Sequence, residues 1–203
     1  MKEDRRIRKT KSSIKKAFTQ LLKEKKLDKI TIRDITTQAD VNRGTFYLHY
    51  EDKYILLNDM EDECISELSN IAKFNEVRGK DVEDISRLFI ENVLSKILQH
   101  IYDNLEFYHT ILQLERKSRL EDKLSELIKE NMQKYMNIES EIDGIPKMYF
   151  HSYVSGATMS IIKYWVLDTQ RISVEDLTQH IYKIFYKGPL RIMAEHRYKY
   201  HRT

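Results

Sequence analysis

The chain is poor in the residues that make tight turns, with 5 glycines and 2 prolines among 203 residues. Hairpins need residues that accept positive φ, so this scarcity predicts an all-α fold. The single cysteine, Cys64, excludes an intramolecular disulfide framework and a cysteine-rich zinc site. The histidines at 49, 100, 109, 151, 180, 196 and 201 show no HExxH or other ligand spacing, so no metal is expected. There is no glycine-rich phosphate loop, because Gly44 stands alone, and Cys64 has no basic activating neighbour in sequence. An enzyme is therefore not expected, nor is a cofactor. The first 13 residues are charged and lack the apolar core of a signal peptide. No apolar run reaches the roughly 18 residues a membrane span needs. The expectation is a cytoplasmic protein with no membrane partner.

Charge, by contrast, is abundant and uneven. Charged residues make up 33% of the chain and apolar residues 41%, a balance that suits a folded chain. Residues 1–50 carry 14 Lys and Arg against 6 Asp and Glu, whereas residues 51–203 carry 21 against 26. A basic head on an acidic body suggests two jobs. Such a head attracts phosphate backbones or anionic membranes, and it also solubilises helices. The first apolar stripe carries no Trp, which disfavours the membrane surface.

Ile14, Ala17, Phe18, Leu21 and Leu22 form one apolar helical stripe, predicting a helix from near Arg5 to Lys25–Lys26. Thr31 and Asp34 have capping-box spacing, with Ile32, Ile35 and Ala39 expected on the inner face of a short helix. Asp40 stands where the chain must reverse, and Asn42 can cap a third helix opening at Arg43-Gly44-Thr45. Phe46 and Tyr50, four apart, should face the core together, with Tyr47 and His49 off that face. Asp52 should cap a long helix bearing Ile55, Leu56, Met60 and Leu68. Three helices with the last two closely joined make a helix-turn-helix, whose second helix fits the major groove.

The stretch TIRDITTQADVNRGTFYLHYEDKYILL, Thr31 to Leu57, resembles the DNA-binding domain of the TetR/AcrR family of transcriptional regulators. The family pattern runs roughly T-x-x-x-I-A-x-x-A-G-V-S-x-G-T-F-Y-x-Y-F-x-x-K-E-x-L. Thr31, Ile35, Ala39, Val41, Gly44, Thr45, Phe46, Tyr47, Lys53 and Leu57 match it. Thr36, Asp40, Asn42, His49, Tyr50 and Tyr54 depart from it, and Tyr54 removes an acid from the first turn of the fourth helix. The resemblance implies a DNA-binding domain at 1–52 and a helical regulatory and dimerisation domain at 53–203. It implies phosphate contacts from Thr31, Tyr47, His49 and Lys53, and base-edge contacts from Arg43, Gly44 and Thr45 behind the Asn42 cap. Arg43 could hold guanine O6 and N7 with two parallel bonds. The amino-terminal segment bearing Lys2, Arg5, Arg6, Arg8 and Lys9 reads as a flexible clamp or a solvated tail.

In the body, Gly79 and Asp81 end one helix and open another. Ile85, Leu88, Phe89, Val93, Ile97 and Ile101 form an apolar stripe beside Ile90, Leu94 and Leu98. Further helices are predicted over 105–112, 118–136, 146–168 and 173–187, the last ending at Gly188-Pro189. The tail from Leu190 to Thr203 can add a further turn of helix. The segments DNLEFYHTILQ and YVSGATMSIIKYWVLDTQRISVEDLTQHIYKIFYKGP are similar to the carboxy-terminal domain of the dihydroxyacetone-kinase-type regulator subgroup. That likeness implies ligand sensing and dimerisation. Ser152, Gly156 and Ser160 form a small-residue stripe that, with Leu177, Ile181 and Ile184, can build a two-fold four-helix interface or pack within one chain. Tyr102, Phe107, Tyr108, Leu112, His151 and Trp165 either line an apolar pocket or fill a core.

The expected function is a homodimeric repressor that reads a near-palindromic operator in double-stranded DNA. An apolar or aromatic small-molecule effector would release it. The alternative is a co-regulator acting through a partner protein without a small ligand.

Overall fold

In a computed structural model the structure describes residues 5–72, 90–114, 119–136 and 140–200. Lys2 and the predicted elements over residues 73–89, with Gly79, Asp81, Ile85, Leu88 and Phe89, lie outside them. Ten α-helices make up nearly all of the described chain. They are α1 (Arg5–Glu24), α2 (Ile32–Gln38), α3 (Arg43–Tyr47), α4 (Lys53–Ile71), α5 (Ser95–Asp103), α6 (Leu105–Leu112), α7 (Arg119–Met136), α8 (Lys147–Leu167), α9 (Val174–Lys187) and α10 (Pro189–Tyr200). A 3-10 turn (Leu27–Lys29) follows α1 and a π turn (Ile90–Leu94) precedes α5. The chain forms two compact units, Met1–Glu67 with Glu106–Leu124, and Leu68–Leu105 with Ser125–Thr203.

The first unit is built on the predicted stripe of α1. Ile14, Ala17, Phe18, Leu21 and Leu22 are all buried, and α1 packs on α2. Complete burial of a ring such as Phe18 contributes about 1.5–3 kcal/mol. The inner face of α2 differs from the expectation. Ile35 is buried, Ile32 and Ala39 are only half-buried, and Thr36 is buried instead. Thr36 tolerates this because its hydroxyl donates to the Arg33 carbonyl at 3.2 Å. On α4, Leu56, Leu57, Met60, Cys64 and Leu68 are buried, but Ile55 is exposed, lying one residue off that stripe.

The second unit packs α9 on α5 and α10 on α9. Val93, Leu94, Leu98 and Ile101 are buried, as are Ile162, Trp165 and Val166 of α8 and Leu177 and Ile181 of α9. Trp165 Nε1 donates to the Ile172 carbonyl at 2.8 Å, pinning the connection from α8 to α9. Ser173 caps α9, its hydroxyl accepting from the Asp176 amide at 3.0 Å. Gly188 closes α9 at φ +79°, a backbone that a β-carbon resists. The tail goes beyond the expected single turn, since α10 runs for 12 residues.

One element runs against the scarcity of turn residues. Glu141–Ile142 pairs antiparallel with Ile145–Pro146 across Asp143 and Gly144, both at positive φ. Asp-Gly between apolar residues is the strongest short hairpin signal, so two residues suffice where the overall count is low. Pro146 therefore ends a strand instead of opening the helix, which begins at Lys147.

Candidate nucleic-acid interface

The turn between α2 and α3 is secured at every join. Thr31 and Asp34 form the full capping box, the Thr31 hydroxyl accepting from the Asp34 amide at 3.1 Å. The Thr31 amide donates back to the Asp34 carboxylate at 2.9 Å. That amide, the Thr31 hydroxyl and Lys25 hold the Asp34 carboxyl below the usual carboxylate range. Loss of such a cap costs about 0.5–2 kcal/mol. Asp40 takes the left-handed conformation at φ 52°, and the Val41 amide donates to the Thr36 carbonyl at 3.0 Å. Asn42 then caps α3, its Oδ1 accepting from the Thr45 amide at 2.7 Å and the Thr45 hydroxyl at 2.9 Å.

Phe46 and Tyr50 are buried with their rings 5.8 Å apart, which fixes the rotation of α3. Arg43, Gly44, Tyr47 and Leu48 are consequently exposed on it. The Arg43 guanidinium donates from Nη2 to the Tyr47 phenol oxygen at 3.1 Å, with its carbon 5.5 Å from the ring centroid. Thr45 is half-buried with its hydroxyl turned onto the cap, leaving its methyl as the free end. His49 is half-buried, its ring 6.3 Å from that of Tyr50. Thr31 is exposed, although its hydroxyl is committed to the capping box.

Lys53, expected at phosphate, is engaged within the chain in this structure. Its ammonium donates to the carbonyls of Leu27 at 2.7 Å, Asp28 at 3.0 Å and Ile30 at 2.8 Å. An ammonium has three N–H groups, so all are used within the chain. The 3-10 turn after α1 presents these carbonyls, and Lys53 ties it to the start of α4. Tyr54, one of the departures from the family pattern, completes the joint. Its hydroxyl donates to the Asp28 carboxylate at 3.1 Å, and its ring lies 5.3 Å from the Lys53 nitrogen.

The expected flexible arm is helical from Arg5 onward. Arg5, Arg6, Arg8 and Lys9 are exposed on α1, whose first turn has no acidic residue. Cations at a helix N-terminus oppose its dipole, a cost that a nearby polyanion would offset.

The other predicted residues fall in different units. Phe107, Tyr108 and Leu112 belong to the first, where Tyr108 and Leu112 are buried and Tyr108 accepts a hydrogen bond from the Cys64 thiol. Tyr102, His151 and Trp165 belong to the second, where the Tyr102 and Trp165 rings lie 6.2 Å apart. His151 is buried on α8, and among the described residues neither ring nitrogen has a hydrogen-bond partner. Tyr102 also lines an open groove of about 660 Å³ with Gln99 and residues 169–175. Ser152, Gly156 and Ser160 are exposed along α8, as an interface needs. Leu177 and Ile181 are not available in the same way, because they are buried within one chain where α9 packs on α5, while Ile184 is half-buried.

The exposed Leu48 and the Tyr54–Asp28 contact are not singled out by the sequence patterns. Leu48 was accessible to helical periodicity, since it lies opposite the Phe46–Tyr50 face. The Tyr54–Asp28 pair, 26 residues apart, carries no local signal.

Comparison with known proteins agrees with this architecture. Residues 14–60 match the model of bacterial regulatory proteins of the tetR family, and residues 90–187 match a transcriptional regulator C-terminal region. An HTH-type transcriptional regulator of Bacillus subtilis (strain 168), YxbF, is 28% identical over 166 residues, covering 79% of this chain. The chain spans only 40% of that relative's length. Among solved structures, a TetR transcriptional regulator from Streptococcus agalactiae 2603V is 27% identical with a TM-score of 0.62, covering 89% of this chain and 96% of that one. A TetR-family regulator from Syntrophomonas wolfei shares the fold at a TM-score of 0.68 and 18% identity, covering 89% and 94%. The dihydroxyacetone kinase operon activator DhaS shares it at 0.58 and 19%, covering 87% and 94%. The capped helix-turn-helix and the helical body match this family in order along the chain, and the chain belongs to the tetR family of bacterial regulatory proteins.

Proposed function

We propose that the protein is a sequence-specific DNA-binding transcriptional regulator that reads a near-palindromic operator as a homodimer. The observation that carries this reading is the outward face of α3, where Arg43 and Tyr47 are paired and exposed on a helix fixed by the Asn42 cap and the Phe46–Tyr50 anchor. A guanidinium suits guanine O6 and N7, and a phenol hydroxyl suits a phosphate oxygen. The basic face of α1 adds charge for the backbone. The exposed Ser152–Gly156–Ser160 stripe supports the dimer, because small residues let helices approach closely.

In this reading the protein is a repressor that an apolar or aromatic effector releases by favouring one separation of the two DNA-reading heads. The open groove beside Tyr102 supports the alternative of a partner protein, since it presents surface at Tyr102 and Ile172. Selection of bound DNA from a random pool with purified protein tests the core of the proposal. An inverted, paired motif at moderate salt is expected. A monomer indifferent to every duplex at low salt would overturn it.

A further inference from the structure

The face of α3 opposite its buried side holds a bare position followed by an apolar knob. Residues 44 and 48 are one helical turn apart, and both point away from buried Phe46 and Tyr50. Leu48 is 81% exposed, the highest exposure among the described large hydrophobic residues of the first unit. It is held in place, with αR backbone angles and its amide donating to the Gly44 carbonyl at 3.1 Å. Folding therefore gains little from the isobutyl group.

Gly44 is equally unexplained by the fold. Its φ is not in the left-handed region, and among the described residues a β-carbon there would meet only Asn42 Oδ1, at 3.4 Å. Glycine inside a helix is disfavoured relative to alanine, so neither backbone nor packing accounts for it. A bare turn admits another molecule close to the helix backbone, and Leu48 then projects beside it.

Major-groove base edges offer hydrogen-bonding groups and one kind of apolar group, the C5-methyl of thymine. We propose that Leu48 is a base-reading residue that packs on a thymine methyl, with Gly44 kept bare so that α3 can seat deeply enough for the contact. This rests on the DNA-reading role proposed above. It adds a thymine to the half-site beside any guanine held by Arg43.

The test uses the full chain and the sequence recovered by selection, with each thymine replaced in turn by deoxyuridine, which removes only the methyl. Wild type is expected to lose roughly fourfold affinity at one thymine of each half-site, the scale of one buried methyl group. Leu48→Ala should bind the thymine and uracil duplexes alike, and Leu48→Met should keep the difference. Gly44→Ala should raise Tm yet weaken binding at least about tenfold. A selective wild type indifferent to every uracil overturns the inference, as does Leu48→Ala retaining the wild-type penalty. Undiminished binding by Gly44→Ala overturns the close approach. Failure of wild type to select any sequence overturns the DNA-reading role itself.

Discussion

Arg43 rests on Tyr47, its Nη2 3.1 Å from the phenol oxygen and its guanidinium carbon 5.5 Å from the ring centroid. The pair lies one turn apart on the exposed side of α3, so the long arginine is ordered before any DNA arrives. Ordering in advance lowers the entropy cost of a two-bond contact to guanine. Arg43→Ala is expected to relax base preference at one position of each half-site, losing about 1–3 kcal/mol of discrimination there. Tyr47→Phe should weaken all sequences similarly, because it removes the hydroxyl proposed for a phosphate oxygen. Anisotropy titrations against single-base variants of the site distinguish the two patterns. Uniform loss by Arg43→Ala would rule out its base-reading role.

Lys53 makes a prediction that separates a clamp from a phosphate contact. Removing a lysine at phosphate releases fewer counterions and flattens the salt dependence by about one unit in log–log slope. Lys53 instead has its donors on three carbonyls. Lys53→Ala is therefore expected to lower stability by about 2 kcal/mol, the scale of hydrogen bonds to a charged group, and to leave the slope unchanged. A slope shallower by one with unchanged Tm would restore the phosphate role.

Cys64 should be inert in the native state. Burial pushes its thiol up to about 12, only partly offset by the hydrogen bond to Tyr108, and Glu67 and Glu61 add to the rise. The group is thus a neutral thiol at pH 8, and the thiolate is the reactive form. Labelling by a thiol reagent at that pH should run at least roughly a hundredfold slower in native than in denatured protein. Equal rates would show that the Cys64–Tyr108 contact opens readily.

His151 sets a direction for acid sensitivity. Burial, then Lys129 and Lys147, lower its pKa, with Glu126 opposing them. A lowered folded pKa means the unfolded chain takes up the proton more readily. The contribution of His151 is thus fully present above the ordinary histidine value of about 6.5 and is lost as pH falls below it. Tm should decline from about pH 6.5 downward, and His151→Met should decline less steeply over that window. Parallel curves for the two proteins would show that His151 plays no part in the decline.

Much of the molecule follows from local rules. The α1 stripe, the Thr31–Asp34 box, the Asn42, Asp52 and Ser173 caps, the Asp40 reversal and the Gly188 stop are short-range patterns. Their chemistry is complete within a few residues, so the order of helices and the helix-turn-helix are readable from the chain alone. The same rules place Phe46 and Tyr50 inward together and Tyr47 off that face, because residues four apart share one side of a helix, whereas the exposure of Arg43 is read from the structure. They also contained the Asp143-Gly144 hairpin and the exposed position of Leu48, which composition alone had hidden.

Tertiary structure decided where long side chains spend their polar groups. Lysine at position 53 suits phosphate equally well on paper, but the 3-10 turn that presents three carbonyls to it lies more than 20 residues upstream. Tyr54 finds Asp28 by the same folding event. Leu177 and Ile181 lie on a stripe that would serve a second subunit as well as this one, and the packing of α9 on α5 buries them within the chain. Periodicity tells which residues must leave water. It does not tell which surface receives them, because that depends on contacts between segments far apart in the chain.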